Sequence, residues 1–263
     1  MIDIGVNLTN SQLRHQIPKV LEDAHSAGIE QILVTGTDIQ ASREALEICQ
    51  QYMAAGYPGL HSTAGVHPHD AKDWSDETAE QLRALLTSPG VVAVGETGLD
   101  FNRNYSPKKD QIRAFEAQLQ LAIELQKPLF LHERDAFDTQ IDILKNLGDN
   151  LPPVVIHCFT GNRESLEAYL DCGFYIGITG WICDERRGRD LAEIAPIIPL
   201  DRLMVETDAP FLLPKNIQPK PESRTNYPAN LPWVVKKLAE CYRQNQQTVA
   251  DATSANARRF FAI

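Results

Sequence analysis

Val91-Val92-Ala93-Val94-Gly95-Glu96 is the stretch whose reading decides the fold, and Thr97-Gly98-Leu99-Asp100 follows it directly. Four small or β-branched apolar residues run on without a polar residue between them, then meet a glycine and a carboxylate. Such a run reads as a strand covered on both faces, the pattern of a parallel sheet. Seven other short runs match it: Ile2–Asn7, Gln31–Gly36, His61–His67, Pro128–His132, Val154–His157, Phe174–Thr179 and Leu203–Asp208. Their last residues are spaced by 22 to 36 positions. That leaves room for one crossover helix and two short loops between successive strands.

The intervening stretches carry helical patterns. Leu13, Ile17, Val20, Leu21 and Ala24 predict one helix, with Gly28 where a C-terminal cap belongs. Ser106-Pro107 predicts a cap and a first-turn proline, opening a helix whose stripe is Ile112, Phe115, Leu119, Ala122 and Ile123. Leu231, Val234, Val235 and Leu238 form another stripe, opened by Pro232. Eight strand–helix units point to an α/β fold, a single-domain (β/α)8 TIM barrel over residues 1–263. An open doubly wound sheet is the runner-up, but no G-x-G-x-x-G follows the first strand. Pro210–Pro232 is the longest irregular region and falls where such a barrel carries an active-site loop.

Composition removes other classes. The 263 residues carry a net charge of −10, which argues against a broadly basic nucleic-acid binder. Charged residues are 23% and hydrophobic ones 43%, an ordinary globular balance rather than a disordered one. Five scattered cysteines without a C-x-x-C pair fit a reducing compartment. No signal-like N-terminus and no apolar run near 20 residues is present, so the chain reads as cytoplasmic, without a membrane partner. Neither a P-loop nor a G-x-S-x-G nucleophile motif occurs.

In a parallel barrel the C-terminal strand ends form one rim, which holds the active site. Four of the seven histidines, His67, His69, His132 and His157, lie at such ends, with Glu96, Asp100, Glu133, Glu206 and Asp208. Imidazole and carboxylate groups on separate strands are the donor set of a hydrolytic divalent metal. Alternation turns Glu133 away from His132, toward a rim ion pair, and turns Cys158 toward the helices. Glu206 and Asp208 share a side, so either both face the site or Glu206 lies one layer deeper. A carboxylate inside a barrel needs a cation nearby, which favours Glu206 holding a metal or its ligands.

The motifs resemble the TatD family of metal-dependent nucleases within the amidohydrolase-like barrels. They are Asp3-Ile4-Gly5-Val6-Asn7-Leu8-Thr9, Ala64-Gly65-Val66-His67-Pro68-His69, Gly95-Glu96-Thr97-Gly98-Leu99-Asp100-Phe101, Leu131-His132-Glu133-Arg134-Asp135, His157-Cys158-Phe159-Thr160-Gly161, Glu206-Thr207-Asp208-Ala209-Pro210 and Arg224-Thr225-Asn226-Tyr227-Pro228. The resemblance spans essentially the whole chain. It implies a Mg2+-dependent 3′→5′ exonuclease on single-stranded DNA and RNA ends, serving DNA repair or nucleic-acid turnover, with Zn2+ and Mn2+ as alternative ions. It also implies Glu96, His132, His157 and Asp208 as metal ligands, with His67 and Glu206 as further active-site residues. Many relatives end the first strand in His-x-His, where this chain has Gly5 and Asn7. One firm metal site and a weakened second one are therefore expected. In the expected mechanism Asp208 is ligand or general base and His67 a phosphate contact or proton donor.

Substrate contacts are expected from His69 and from loop cations, chiefly Arg103, Arg187 and Arg224. Loops 99–111, 181–190 and 210–225 carry net charges of +1, 0 and +2, which leaves −13 on the rest of the chain. Phe101, Tyr105, Trp181 and Tyr227 are candidates for base stacking. Two other readings keep the fold: a metal-dependent ester or amide hydrolase, such as a D-aminoacyl-tRNA deacylase, and a degenerate binding scaffold. No obligate protein partner is evident, and a monomer is expected.

Overall fold

The computed structural model of the chain describes residues 1–53 and 57–263. Its strands are β1 (Ile2–Val6), β2 (Gln31–Val34), β3 (Gly59–Ala64), β4 (Val91–Asp100), β5 (Leu129–Arg134), β6 (Val154–Ile156), β7 (Tyr175–Ile178) and β8 (Leu203–Val205). They form one sheet in the order β1 to β8, all parallel. The chain beyond β8 returns to β1 through a parallel Val6–Ala209 bridge. Asn7 N donates to Ala209 O and Asp208 N to Gly5 O, each at 2.8 Å. This is the expected (β/α)8 barrel, not the open sheet.

Ten helices surround it among the described residues: α1 (Ser11–Arg14), α2 (Ile17–Ser26), α3 (Ile39–Gln51), α4 (Asp76–Leu86), α5 (Lys108–Leu125), α6 (Phe137–Leu147), α7 (Arg163–Asp171), α8 (Arg189–Ile194), α9 (Leu231–Tyr242) and α10 (Gln246–Phe261). Two local expectations are corrected. The first helical stretch is broken into α1 and α2, because Pro18 has no N–H for the carbonyl four residues back. Ser106 does not cap α5; Pro107 takes the cap position, while the Ser106 hydroxyl donates to His69 O at 2.7 Å and accepts from Lys72 N at 3.0 Å. Ser106 thus ties the β3 loop to the β4 loop.

Apolar burial forms two layers. Inside the barrel, Ile2, Ile4, Leu33, Ala93, Phe130, Val155 and Met204 pack together, and Phe260 and Phe261 of α10 pack onto them. These positions lie early in their strands, so the floor is filled and the later strand ends stay free for chemistry. Phe130 is fully buried there; truncation to alanine would cost about 3–5 kcal/mol. The larger layer lies between strands and helices, and there Phe115, Leu119 and Ala122 of α5 bury the stripe read from the sequence.

Two strand irregularities position the site. Between Val94 and Thr97, β4 advances three residues while β5 advances two, from Leu129 to Leu131. This is a bulge, the device that re-aims a side chain. Gly95 and Gly98 allow it, with φ of 147° and 140°, and a Cβ on either would collide with a β5 carbonyl, of Phe130 and His132 respectively. The second irregularity lies at the β1 seam. Asp3, fully buried, accepts from Thr207 N at 2.9 Å, Thr207 Oγ1 at 2.6 Å and Gly5 N at 3.3 Å. No cation pairs with it among the described residues. Burial, with a small addition from Glu206, pushes its pKa up to about 8 against those hydrogen bonds.

Candidate metal centre

Four strand ends converge on Glu96. The β4 bulge turns its carboxylate inward, where Oε1 lies 3.0 Å from His132 Nδ1, 3.0 Å from His157 Nε2 and 3.3 Å from His67 Nε2. Burial works against the Glu96 charge. The facing His157 and His67 rings and the His132 and His157 hydrogen bonds outweigh it and hold the group well below the ordinary carboxylate range. His157 answers in kind: burial disfavours its cation, but Glu206 and Glu96 raise its pKa well above the usual value. His132 is raised as well, by Asp100 and Glu96 against burial. His67 goes the other way, because burial dominates and lowers it to about 4.

Asp208 stands beside this group at φ 52°, its Oδ1 accepting from Asn7 Nδ2 at 3.0 Å. Burial raises it to about 7; the His157 charge opposes and those of Glu96 and Glu206 assist. Glu206 is fully buried beneath His157. Its Oε2 faces His157 Nδ1 at 3.0 Å and its Oε1 accepts from Cys158 N at 2.5 Å. The deeper of the two positions open to Glu206 is the one it takes. Gly5 makes this possible, since a Cβ there would collide with Glu206 Oε2, and a Cβ on Gly177 would stand 2.6 Å from Oε1. The space left by the side chain Gly5 lacks is therefore filled by a carboxylate.

These residues fit a divalent cation. Donor atoms of His67, Glu96 and His132 lie within 4.8 Å of one another. His132 Nε2 is buried and makes no hydrogen bond; Asp100 Oδ2, 3.5 Å away, is close without bonding to it, which leaves the nitrogen open to a metal or a water. His157 is oriented by a carboxylate on its other nitrogen, as metal-binding histidines commonly are.

A cleft of about 660 Å³ opens above, lined by His67, His69, Glu96, His132, His157 and Asp208 and walled by Arg103, Arg134, Arg187, Trp181 and Phe211. Arg134 and Arg187 lie over the Trp181 ring, 5.3 and 4.5 Å from its centroid. Phe211 is 48% exposed although apolar. Of the expected substrate residues, His69, Arg103 and Arg187 border the cleft and Arg224 does not. His69 Nε2 donates to Asp100 Oδ2 at 2.9 Å, and its ring packs on exposed Tyr105. Trp181 borders the cleft, whereas Phe101 and Tyr227 lie outside its walls.

Two orientations are corrected. Glu133 makes no ion pair among the described residues; its Oε1 accepts from Ala136 N at 2.8 Å, at the start of α6. Cys158 borders the cleft instead of the helix layer, because its positive φ of 47° breaks the strand alternation. Asp100 was legible only as a rim residue. It is buried, accepts from Asn102 N and Arg103 N, and lies 3.5 Å from His132 Nε2. Its signal is that β4 runs four residues past Glu96.

The sequence profile of the TatD-related DNases matches residues 2–262. The chain belongs to this family. It is 49% identical to the 3′-5′ ssDNA/RNA exonuclease TatD of Salmonella typhimurium (strain LT2), covering 100% of this chain and 99% of that one. The crystal structure of a TatD homologue from Escherichia coli K12 superposes with a TM-score of 0.89 at 28% identity, over 100% of this chain and 98% of that one. A TatD-family hydrolase from Entamoeba histolytica gives a TM-score of 0.91 at 25% identity, over 99% and 97%. Family and donor set together make the cleft a divalent-metal site. No helix among the described residues is long and apolar enough to cross a membrane.

Proposed function

We propose that the chain is a metal-dependent 3′→5′ exonuclease on single-stranded DNA and RNA, with residues 1–263 acting as one hydrolase domain and Mg2+ as the working ion. The observation that carries the reading is Glu96 Oε1 amid the nitrogens of His67, His132 and His157, at the base of a cleft walled by arginines and an aromatic ring. Cations and a π-face match a nucleotide's phosphate and base. The 49% identity to a named exonuclease supports the same substrate.

Glu96, His132, His157 and Asp208 hold the ion in this proposal. When bound, a divalent ion lowers the pKa of a water and neutralises phosphate oxygens. Asp208, its Oδ1 held by Asn7 Nδ2 at 3.0 Å, would receive the proton of the attacking water. His67 accepts the His69 N–H on Nδ1 at 3.2 Å, so its neutral form carries the proton on Nε2. That proton faces Glu96 Oε1 at 3.3 Å; with Glu96 engaged by a cation, it would be released to a phosphate oxygen or the leaving oxygen at the edge of the cleft. Glu206 would touch no substrate; it holds His157 by Nδ1 at 3.0 Å and so keeps Nε2 turned to Glu96, where the ion would be held. Imidazole ligation also suits Mn2+ and Zn2+, so rates with each ion rank them.

Single strands labelled at the 3′ or the 5′ end, with Mg2+ and with EDTA, test the proposal. The 3′ label should leave at once as a mononucleotide, the 5′ label should give a descending ladder, and EDTA should abolish both. Absence of metal-dependent degradation together with turnover of an aminoacyl ester would reassign the site to the deacylase reading; neither activity would leave the scaffold reading.

A further inference from the structure

Two hollows adjoin the metal cleft, and they differ in charge. One shares Glu133, Arg134, Trp181 and Arg187 with it, and there five carboxylates (Glu133, Asp135, Asp138, Glu164 and Asp190) outnumber the three cations. The other shares Arg187 and Leu212 with the cleft and is formed by the long loop after β8. It encloses about 620 Å³, within the roughly 300–1,000 Å³ of cavities that enclose a small ligand. Arg187, Lys215, Lys220 and Arg224 line it, and no carboxylate does; even Glu222, the one acid of loop 210–225, stays out of its walls. Asp184 holds Arg187 and Lys215, each at 2.8 Å. Lys220 and Arg224 are exposed and make no ion pair among the described residues. Leu212, Ile217 and Pro221 add apolar wall between the charges.

A strand with a charge on every phosphate is repelled by the first hollow and attracted by the second. Taking the cleft as the nuclease site, we infer that the cavity of the β8 loop is the subsite for upstream nucleotides of a single strand whose end lies at the metal centre. Lys220 and Arg224 meet its phosphates, and the apolar wall meets base faces, which only an unstacked strand presents. The strand passes from cleft to cavity over Arg187 and Leu212. This explains why Arg224, outside the cleft, lies in a loop that ends at the site.

The double variant Lys220→Gln/Arg224→Gln tests this in the full-length protein with oligodeoxynucleotides. Each phosphate contact to a single strand adds about 0.7 to the slope of log affinity against log salt, so loss of two lowers it by about 1.4. Affinity for an oligomer of about eight nucleotides should then fall about sevenfold less between 50 and 200 mM salt than in the wild type. The ratio of kcat/KM on that oligomer to kcat/KM on a dinucleotide should fall several-fold, and because both substrates need the folded centre, the ratio is insensitive to partial unfolding. A wild-type slope and ratio in the variant would overturn the inference, as would an equal loss of binding to blunt duplex. Failure of the wild-type protein to degrade any strand would instead overturn the nuclease reading.

Discussion

Asp3→Asn should remove a pH-dependent loss of stability that the wild-type barrel carries at its seam. Asp3 is fully buried, pairs with no cation among the described residues and has its pKa raised from 3.8 to about 8, chiefly by burial. The folded state therefore holds a proton that the unfolded chain has released between those two values. Stability falls as pH rises through that window, by about 1.4 kcal/mol per pH unit, and levels off above pH 8. Between pH 6 and 9 the loss is about 2.7 kcal/mol. Unfolding 263 residues at about 2.1 cal/mol/K each turns that into about 5 °C of Tm. Asparagine keeps an oxygen for the N–H groups of Thr207 and Gly5, and its amide can donate to Thr207 Oγ1, but it does not titrate. Thermal melts of both proteins in EDTA at pH 6, 7, 8 and 9 read the effect. The Tm difference should shift by about 5 °C in favour of the variant across the series. Parallel Tm curves would refute the reasoning, since they would mean that Asp3 ionises without cost.

Gly5→Ala places a Cβ against Glu206 Oε2, and Glu206 cannot retreat, because Gly177, His157 and Cys158 N enclose it. A loss of about 1–3 kcal/mol is expected, read by chemical denaturation, and an unchanged midpoint would refute the collision. Glu206→Gln should weaken Mn2+ binding about 10–100-fold by calorimetry, because an amide no longer fixes the His157 proton on Nδ1. Unaltered affinity would show that Glu206 does not position His157. Asp208→Asn should lower strand hydrolysis by about 10²–10⁴-fold while far-UV circular dichroism stays unchanged, and near-normal turnover would remove its role as base.

The barrel was legible because each strand announces itself by an unbroken apolar run and each helix by its stripe. His67, His132, His157 and Asp208 were placed by the same logic, as polar residues at the ends of such runs. What escaped the reading depends on backbone departures from strand geometry. Alternation misplaced Cys158, which adopts a positive φ, and strand bounds around Glu96 were short, because the bulge carries β4 on to Asp100. Gly95 at the end of the apolar run and Gly98 three residues on were the available signal. Arg134 and Phe211 gave none: an arginine at a strand end and a phenylalanine in a loop are ordinary until the fold turns them to one cleft.

The cradle of Gly5 and Gly177 around Glu206 also constrains how such a site can change by mutation. With Glu206 in place, even a Cβ at position 5 meets its carboxylate, and a histidine there would demand more room still. With Glu206 shortened first, His157 loses its partner before position 5 has acquired anything useful. In this chain, then, a side chain at position 5 and the Glu206 carboxylate compete for one space. The effects of substitutions at positions 5 and 206 should therefore be non-additive. A library randomised at both positions and selected for activity would recover correlated pairs rather than independent preferences.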